Sequence, residues 1–240
     1  MMLEQHKLEN ILFLDIETVS GQKTFEDLSE VMQDLWTVKA GQKYANEDKS
    51  PENLYRHAAI YAEFGKVICI SCGFFQEVDG ERKFRIKSFA GDDEKAILED
   101  FAKLLNSYFS SKNHRLCAHN GKEFDYPYLS RRMLILGVKL PGILDTAGKK
   151  PWEVNHLDTL ELWKFGDYKN YTSLKLLTHI FNIPTPKDDI DGSMIRDVYY
   201  EEENLERIVI YCQKDVVATA RLYLRFRGED IFGDDKIIIK

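Results

Sequence analysis

The sequence predicts an α/β domain in which helices flank a mixed β-sheet. Short β-branched, apolar segments dominate the first part of the chain, and amphipathic helical segments alternate with short strands from about residue 91 onward. This order of elements is typical of a sheet covered by helices. No segment has the composition of a linker, so we expect one domain over residues 1–240, with a long insertion at about 19–64.

The first predicted strand, residues 11–18, begins with four apolar residues that run directly into two carboxylates. Such a short apolar segment is typical of a buried strand. Residues two apart on a strand point to the same face, so Asp15 and Glu17 project side by side. One of two carboxylates this close takes up a proton unless a cation lies between them. Oxygen ligands suit Mg²⁺ or Mn²⁺; two solvated acids at a strand end are the alternative.

The later elements follow from local patterns. Residues 19–64 are expected to form short helices and loops, residues 66–75 a central strand, and residues 83–89 a half-exposed strand after a turn at Gly80. Apolar spacing and capping residues predict helices in four segments: 91–108, 125–136, 173–181 and 204–227. Further short apolar or strand-like segments are predicted at 115–119, 157–162 and 237–239.

Composition narrows the class of protein. A hydrophobic share of 44% supports a core without disulfides, and the four cysteines are interpreted as reduced core thiols. No leader-like or bilayer-spanning segment is evident, so we expect a cytoplasmic protein without a membrane partner. The net charge of −7 argues against a general basic coat for nucleic acid. Carboxylates loaded with metal nevertheless attract phosphate.

Two further acids are candidates to meet Asp15 and Glu17. Asp125 lies just past the end of a predicted strand, at the start of a predicted helix. Tyr211 and Asp215 are four residues apart and therefore share one face of the last predicted helix. Because apolar residues surround Asp215 in the sequence, this part of the helix is not an ordinary solvated face.

These residues resemble the motifs of a known family. Three motifs match, in order, those of the DEDD 3′–5′ exonucleases: Asp15-x-Glu17, Asn120-x-x-x-Phe124-Asp125 and Tyr211-x-x-x-Asp215. The tyrosine of the third motif is similar to that of the DEDDy branch. The chain most resembles the stand-alone bacterial group of predicted 3′–5′ exonucleases related to the exonuclease domains of family B DNA polymerases. The resemblance covers almost the whole chain and implies a ribonuclease H-like fold.

The resemblance also implies a role for each acid. Two divalent ions, Mg²⁺ or Mn²⁺, would be bound by Asp15, Glu17, Asp125 and Asp215. By this analogy Asp15 bridges both ions, Glu17 and Asp215 complete the first site, and Asp125 supports the second, partly through water. Tyr211 would orient the attacking water, with Glu17 as its partner.

The substrate implied by the resemblance is nucleic acid with a single-stranded 3′ end, DNA rather than RNA. Asn120 and Phe124 would contact the terminal nucleotide, Phe124 by stacking, and main-chain groups near Thr18 would meet the 3′ end. A core position is the alternative for Phe124. His156 and Asp158 share a strand face and are interpreted as structural rather than as outer ligands. An exoribonuclease and an inactive nucleic-acid-binding protein of the same fold are the alternative functions.

Overall fold

The computed structural model describes residues 6–167, 171–184 and 190–240. Six strands in these residues form one sheet: β1 (Ile11–Ser20), β2 (Gly65–Val78), β3 (Glu81–Ala90), β4 (Arg115–Ala118), β5 (Leu157–Asp158) and β6 (Ile237–Ile239). The sheet order is β5-β4-β1-β2-β3-β6. β1, β2 and β3 pair antiparallel, whereas β4, β5 and β6 each run parallel to a neighbour. The predicted mixed sheet is confirmed.

The described residues include eight α-helices: α1 (Glu30–Lys43), α2 (Pro51–Leu54), α3 (Glu94–Tyr108), α4 (Asp125–Ile135), α5 (Thr159–Lys164), α6 (Leu174–Ile180), α7 (Ile195–Tyr200) and α8 (Leu205–Phe226). Side chains of Asp93, Ser173 and Asn204 cap α3, α6 and α8 by accepting backbone hydrogen bonds. The four predicted helices correspond to α3, α4, α6 and α8 and are confirmed. None of the helices in the described ranges is long and apolar enough to cross a bilayer.

β1 is buried on both faces. Leu12, Leu14 and Ile16 pack into one apolar cluster with residues of α3 and α4. The alternate residues Ile11 and Phe13 pack into a second cluster with α8. Because side chains alternate across a strand, the residues that follow Phe13 on the α8 side are the two acids of the first motif.

α8 crosses the sheet on that second face. Its residues Val216 and Ala220 belong to the cluster that contains Phe13, and Ile208 and Cys212 belong to a third cluster around Val19. One amphipathic helix thus packs on both ends of β1 and leaves the acidic middle of the strand between two apolar contacts.

The insertion is more ordered than the sequence indicates, because α1 runs for 14 residues and β1 continues to Ser20. The fully buried Trp36 is at the centre of a small cluster that joins α1 to the segment before β2. Arg132 and Glu94 form a buried ion pair. Arg132 Nη1 donates to the carbonyl of Ala62, and Glu94 accepts from the Val67 N–H, both at 2.8 Å. The ion pair thus ties the end of the insertion, the segment before β2, to α3 and α4.

Candidate active site

The two acids of β1 lie on the face covered by α8. In the antiparallel pairing with β2, Asp15 is opposite Ser71 and Glu17 is opposite Cys69. The register shifts between Glu17 and Thr18, which is a β-bulge of the kind often found beside active sites. Glu17 is only 8% exposed. Asp15 and Glu17 therefore lie on the same face of β1.

Asp125 approaches β1 from the side on which β4 lies. The pairing of β4 with β1 covers Ile11 to Phe13, so β1 runs on past the end of β4. The chain turns after β4 and begins α4 at Asp125, which is 4% exposed. The Asp125 carboxylate accepts hydrogen bonds from the Ile16 N–H and from its own N–H. Because Ile16 lies between the two acids of the first motif, this bond places Asp125 beside them.

The third motif approaches from α8. The hydroxyl of Tyr211 donates a hydrogen bond to Asp215. Two residues four apart on a helix stack one turn above the other, which makes this bond local. In the next position Cys212 Sγ donates to the Asp15 carbonyl oxygen at 3.4 Å. That contact holds this turn of α8 against the first motif.

Burial and neighbouring carboxylates shift the pKa of Asp15, Glu17 and Asp125. Burial raises the pKa of Asp15 well above its ordinary value, and the charges of Glu17, Asp215 and Asp125 raise it further. Burial followed by the charge of Asp215 likewise raises the pKa of Glu17 well above normal. Burial raises the pKa of Asp125 to about 8, although its two backbone hydrogen bonds oppose the shift. The cluster therefore favours either protons or a cation.

A divalent cation fits this set of donors. Asp15 Oδ2 is buried, and no hydrogen-bond donor in the described residues reaches it. An unsatisfied buried oxygen is costly unless something positive meets it. Ligand atoms of Asp15, Glu17 and Cys212 lie within 4.8 Å of one another. The nearby Lys122 does not supply the charge, because its ammonium pairs with Glu161.

The metal-free protein is expected to gain stability as the pH falls from about 8.5 to 7. A carboxyl group whose pKa is raised on folding binds more protons in the folded state, so the free energy of unfolding decreases as the pH rises. For Asp125 this applies from its ordinary value of 3.8 up to about 8. Each additional bound proton contributes at most about 1.4 kcal/mol per pH unit.

Thermal melts in chelator across this pH range measure the effect. The buried His156, whose pKa is lowered to about 4, acts in the opposite direction below its ordinary value of 6.5, so the range above pH 7 is the informative one. Saturating Mg²⁺ is the control, because an ion that replaces the protons is expected to flatten the slope. A melting temperature that rises from pH 7 to 8.5 in chelator would contradict a buried acidic cluster.

The predicted substrate contacts lie around the three motifs. Phe124 is half-buried, and its ring centroid is 5.2 Å from that of Tyr128, so one side packs against the core while the other stays accessible. Asn120 takes a left-handed conformation with φ of 66° at the start of the turn before α4. Thr18 Oγ1 donates to the carbonyl of Ala59 at 3.0 Å, so its side chain is engaged by the insertion.

The two residues interpreted as structural have saturated hydrogen bonding. His156 accepts from the Leu116 N–H at Nδ1, and its Nε2 is 2.9 Å from the carbonyl oxygen of Ile143. Asp158 is buried and accepts backbone hydrogen bonds from the turn that contains Asn120. The sequence does not indicate the bond between Asp158 and the Asn120 N–H, because it joins residues 38 apart that no motif connects.

Comparison with known proteins identifies the family. A family described as predicted 3′–5′ exonucleases related to the exonuclease domain of PolB matches residues 59–230, well over half of the chain. The chain belongs to this family. A DNA polymerase of Desulfurococcus sp. (strain Tok) is 24% identical over 194 residues, which are 73% of this chain and 24% of the polymerase. The chain thus spans about a quarter of the length of that relative.

Membership of the PolB-related exonuclease family decides the enzyme class. The family is described as predicted 3′–5′ exonucleases, which are hydrolases that act on nucleic acid. The six-stranded mixed sheet flanked by helices agrees with the ribonuclease H-like fold of such exonucleases. Exonuclease domains of this type use divalent metal ions, and the acidic cluster of this chain has the donors to bind them.

Proposed function

We propose that this exonuclease hydrolyses single-stranded DNA from the 3′ end by a two-metal mechanism with Mg²⁺ or Mn²⁺. The observation that carries this function is the convergence on Asp15 of three other carboxylates from β1, α4 and α8. Ligand atoms of Asp15 and Glu17 lie within 4.8 Å of each other, and the charges of Glu17, Asp215 and Asp125 all raise the pKa of Asp15. An enzyme keeps four acids together at a cost in stability when a bound ligand requires them.

Each carboxylate has a separate role in this mechanism. Asp15 would be a ligand of both ions, and the charges of the other three acids all raise its pKa. Glu17 and Asp215 would hold the first ion, and the charge of Asp215 raises the pKa of Glu17. Asp125 would hold the second ion, and its bond from the Ile16 N–H fixes its carboxylate beside β1.

The two ions, when bound, lower the pKa of the attacking water, hold the phosphate and stabilise the leaving oxygen. The protein's own groups orient the reactants. The Tyr211 hydroxyl remains protonated, because burial and then the charges of Asp215 and Glu17 raise its pKa. It therefore acts as a neutral hydrogen-bonding group that positions the attacking water next to Glu17 and Asp215.

The proposed preference for single-stranded DNA rests on similarity to known proteins and on the position of Phe124. The family is related to the exonuclease domain of PolB, and the matching relative is named a DNA polymerase. The half-exposed ring of Phe124 stands directly before Asp125 and can stack on an unpaired terminal base. Asn120, four residues earlier, is placed to hydrogen-bond to the same nucleotide.

We also propose that residues 1–240 form one exonuclease domain in which the 19–64 insertion forms part of the wall of the site. All strands of the described residues belong to one sheet. The carbonyl of Ala59, within the insertion, accepts hydrogen bonds from Thr18 Oγ1 at 3.0 Å and from the Tyr128 hydroxyl at 2.8 Å. These bonds link the insertion both to the first motif and to α4.

The test of the function uses end-labelled DNA and RNA strands of one sequence, each single-stranded and as a blunt duplex, with Mg²⁺ or Mn²⁺. Single-stranded DNA is expected to be degraded fastest, by at least about tenfold over RNA, which is ~1.4 kcal/mol of barrier. Equal or faster degradation of RNA would favour an exoribonuclease. Binding of either strand without cleavage would favour an inactive nucleic-acid-binding protein.

Tyr211→Phe is expected to lower turnover by roughly 10- to 100-fold without changing the melting temperature or substrate binding. A hydroxyl that only orients water contributes near or below the bottom of the ~10²–10⁴-fold range of positioned proton-transfer groups. The loss should appear in kcat rather than KM. Single-turnover cleavage at saturating enzyme measures it.

Tyr223→Phe is the matched control, since it removes a tyrosine hydroxyl from the same helix in the apolar cluster around Phe13. Its turnover is expected to equal that of the wild type. If Tyr211→Phe also cleaves within about twofold of the wild-type rate, inside ~0.4 kcal/mol of barrier, Tyr211 has only a packing role.

A further inference from the structure

Asp158, at the end of β5, joins two parts of the chain through one buried carboxylate. Its side chain is 3% exposed. Oδ1 accepts from the N–H groups of Leu160 at 2.9 Å and Glu161 at 3.3 Å, which caps α5. The same carboxylate also accepts from the N–H groups of Asn120 at 2.9 Å and Lys122 at 3.0 Å. The cap of a six-residue helix needs only the first pair of bonds.

The turn that receives the second pair is tightly confined. Asn120 has a φ of 66°, a conformation that costs energy for a residue with a side chain. A Cβ on Gly121 would lie 2.5 Å from Ala118 Cβ and 2.8 Å from Tyr126 Cζ, so only glycine fits. The Tyr126 hydroxyl in turn donates to the carbonyl of Leu157 at 2.8 Å. β5 thus holds the turn from two sides, through Tyr126 and through Asp158.

This turn leads directly into the acidic cluster. The N–H of Phe124 donates to the carbonyl of Asn120 at 3.0 Å, and the N–H of Tyr126 donates to that of Gly121 at 3.0 Å. Asp125 lies between those two donors and is the first residue of α4. A displacement of the turn therefore moves the Asp125 carboxylate and the Phe124 ring together.

We propose that Asp158 is a positioning residue of the exonuclease centre, which fixes the Asn120–Lys122 turn so that Asp125 faces the ions and Phe124 faces the 3′ nucleotide. The inference rests on the proposed function of the acidic cluster. The new claim is that Asp158, a buried carboxylate outside the three motifs, sets metal affinity and turnover in addition to capping α5. Groups that orient metal ligands typically change metal affinity or activity by 10- to 100-fold when they are replaced.

Two substitutions separate the capping role from the positioning role. Asp158→Ser keeps an oxygen that caps α5, because serine is a favoured N-cap residue, but this single short side chain cannot span both N–H groups of the turn. Asp158→Asn keeps the shape and one acceptor oxygen, and it places an amide NH₂ against a backbone donor. Asp93→Ser is the matched control, since Asp93 caps α3 by accepting from the Ala96 N–H at 3.1 Å, away from the turn.

The measurements are kcat and KM on single-stranded DNA well below the melting temperature, and the Mn²⁺ midpoint from thermal melts at increasing Mn²⁺. Both Asp158 variants are expected to lower kcat by about 10- to 100-fold and to raise the Mn²⁺ midpoint by a similar factor, with the larger effect in Asp158→Ser. Asp93→Ser, which also keeps a favoured N-cap residue, is expected to leave both values unchanged.

A folded Asp158→Ser with wild-type kcat and wild-type Mn²⁺ midpoint would overturn the positioning role and leave Asp158 as a helix cap. If Asp158→Ser does not fold, the same two values measured on Asp158→Asn decide. If the wild type cleaves no strand, the proposed function fails, but the Mn²⁺ midpoints still test whether Asp158 positions the acidic cluster.

Discussion

Asp15→Asn is expected to abolish cleavage, by at least about 10³-fold, while raising the melting temperature of the metal-free protein. Under the proposed two-metal mechanism, loss of this carboxylate removes several kcal/mol of transition-state stabilisation. The same change relieves the repulsion that raises the pKa of Asp15, which comes from Glu17, Asp215 and Asp125. A gain of about 1 kcal/mol corresponds to roughly 2–4 °C in a chain of this size.

The matched control for this prediction is Asp79→Asn, the same chemical change in the turn between β2 and β3. Asp79 is exposed and has a φ of 53°, which asparagine also adopts readily. Its activity and melting temperature are expected to equal those of the wild type. A metal-free Asp15→Asn that melts below the wild type would mean that the four acids do not repel one another in the folded state.

Removal of divalent ions is expected to abolish activity completely, and excess Mg²⁺ or Mn²⁺ to restore it. The acidic cluster would otherwise repel the phosphate, and Lys122 of the second motif already pairs with Glu161. The ions should also stabilise the folded state, by about 2.7 kcal/mol at a concentration 100 times the Kd. Cleavage and thermal melts before and after chelation measure both effects.

The control for metal removal is Asp15→Asn, which lacks the bridging ligand. Its melting temperature is expected to respond much less to Mg²⁺ than that of the wild type. Full cleavage by the wild type in excess chelator would contradict the two-metal mechanism, and equal stabilisation of both proteins by Mg²⁺ would place the ions elsewhere.

Most of the fold follows from local pattern. The continuous apolar run of β2, the alternation of β3, and the single apolar stripes of α3 and α8 are visible in the sequence because each element buries one side or is wholly buried. α1 is not visible in this way, because its apolar residues lie on two faces: Trp36 is buried, whereas Val31 and Val38 are exposed. α7 has only six residues, and β5 has two, so neither gives a measurable period.

The sequence predicts the motif residues of the candidate site, but not the contacts between them. The spacing of Asp15 and Glu17 predicts that they share a face, and α8 does cover that face. No local pattern could indicate that the Ile16 N–H holds Asp125, or that Asp158 accepts from the N–H of Asn120. These contacts depend on how separate elements pack, which sequence periodicity does not encode.

The most direct test of the central claim is the polarity of cleavage on single-stranded DNA labelled at its 5′ end, with Mn²⁺. Wild-type protein is expected to produce a ladder that shortens one nucleotide at a time from the 3′ end, and Asp15→Asn purified in parallel is expected to leave the strand intact. Immediate release of the labelled 5′ nucleotide, first cuts within the strand, or an equal ladder from Asp15→Asn would contradict a 3′–5′ exonuclease centred on Asp15.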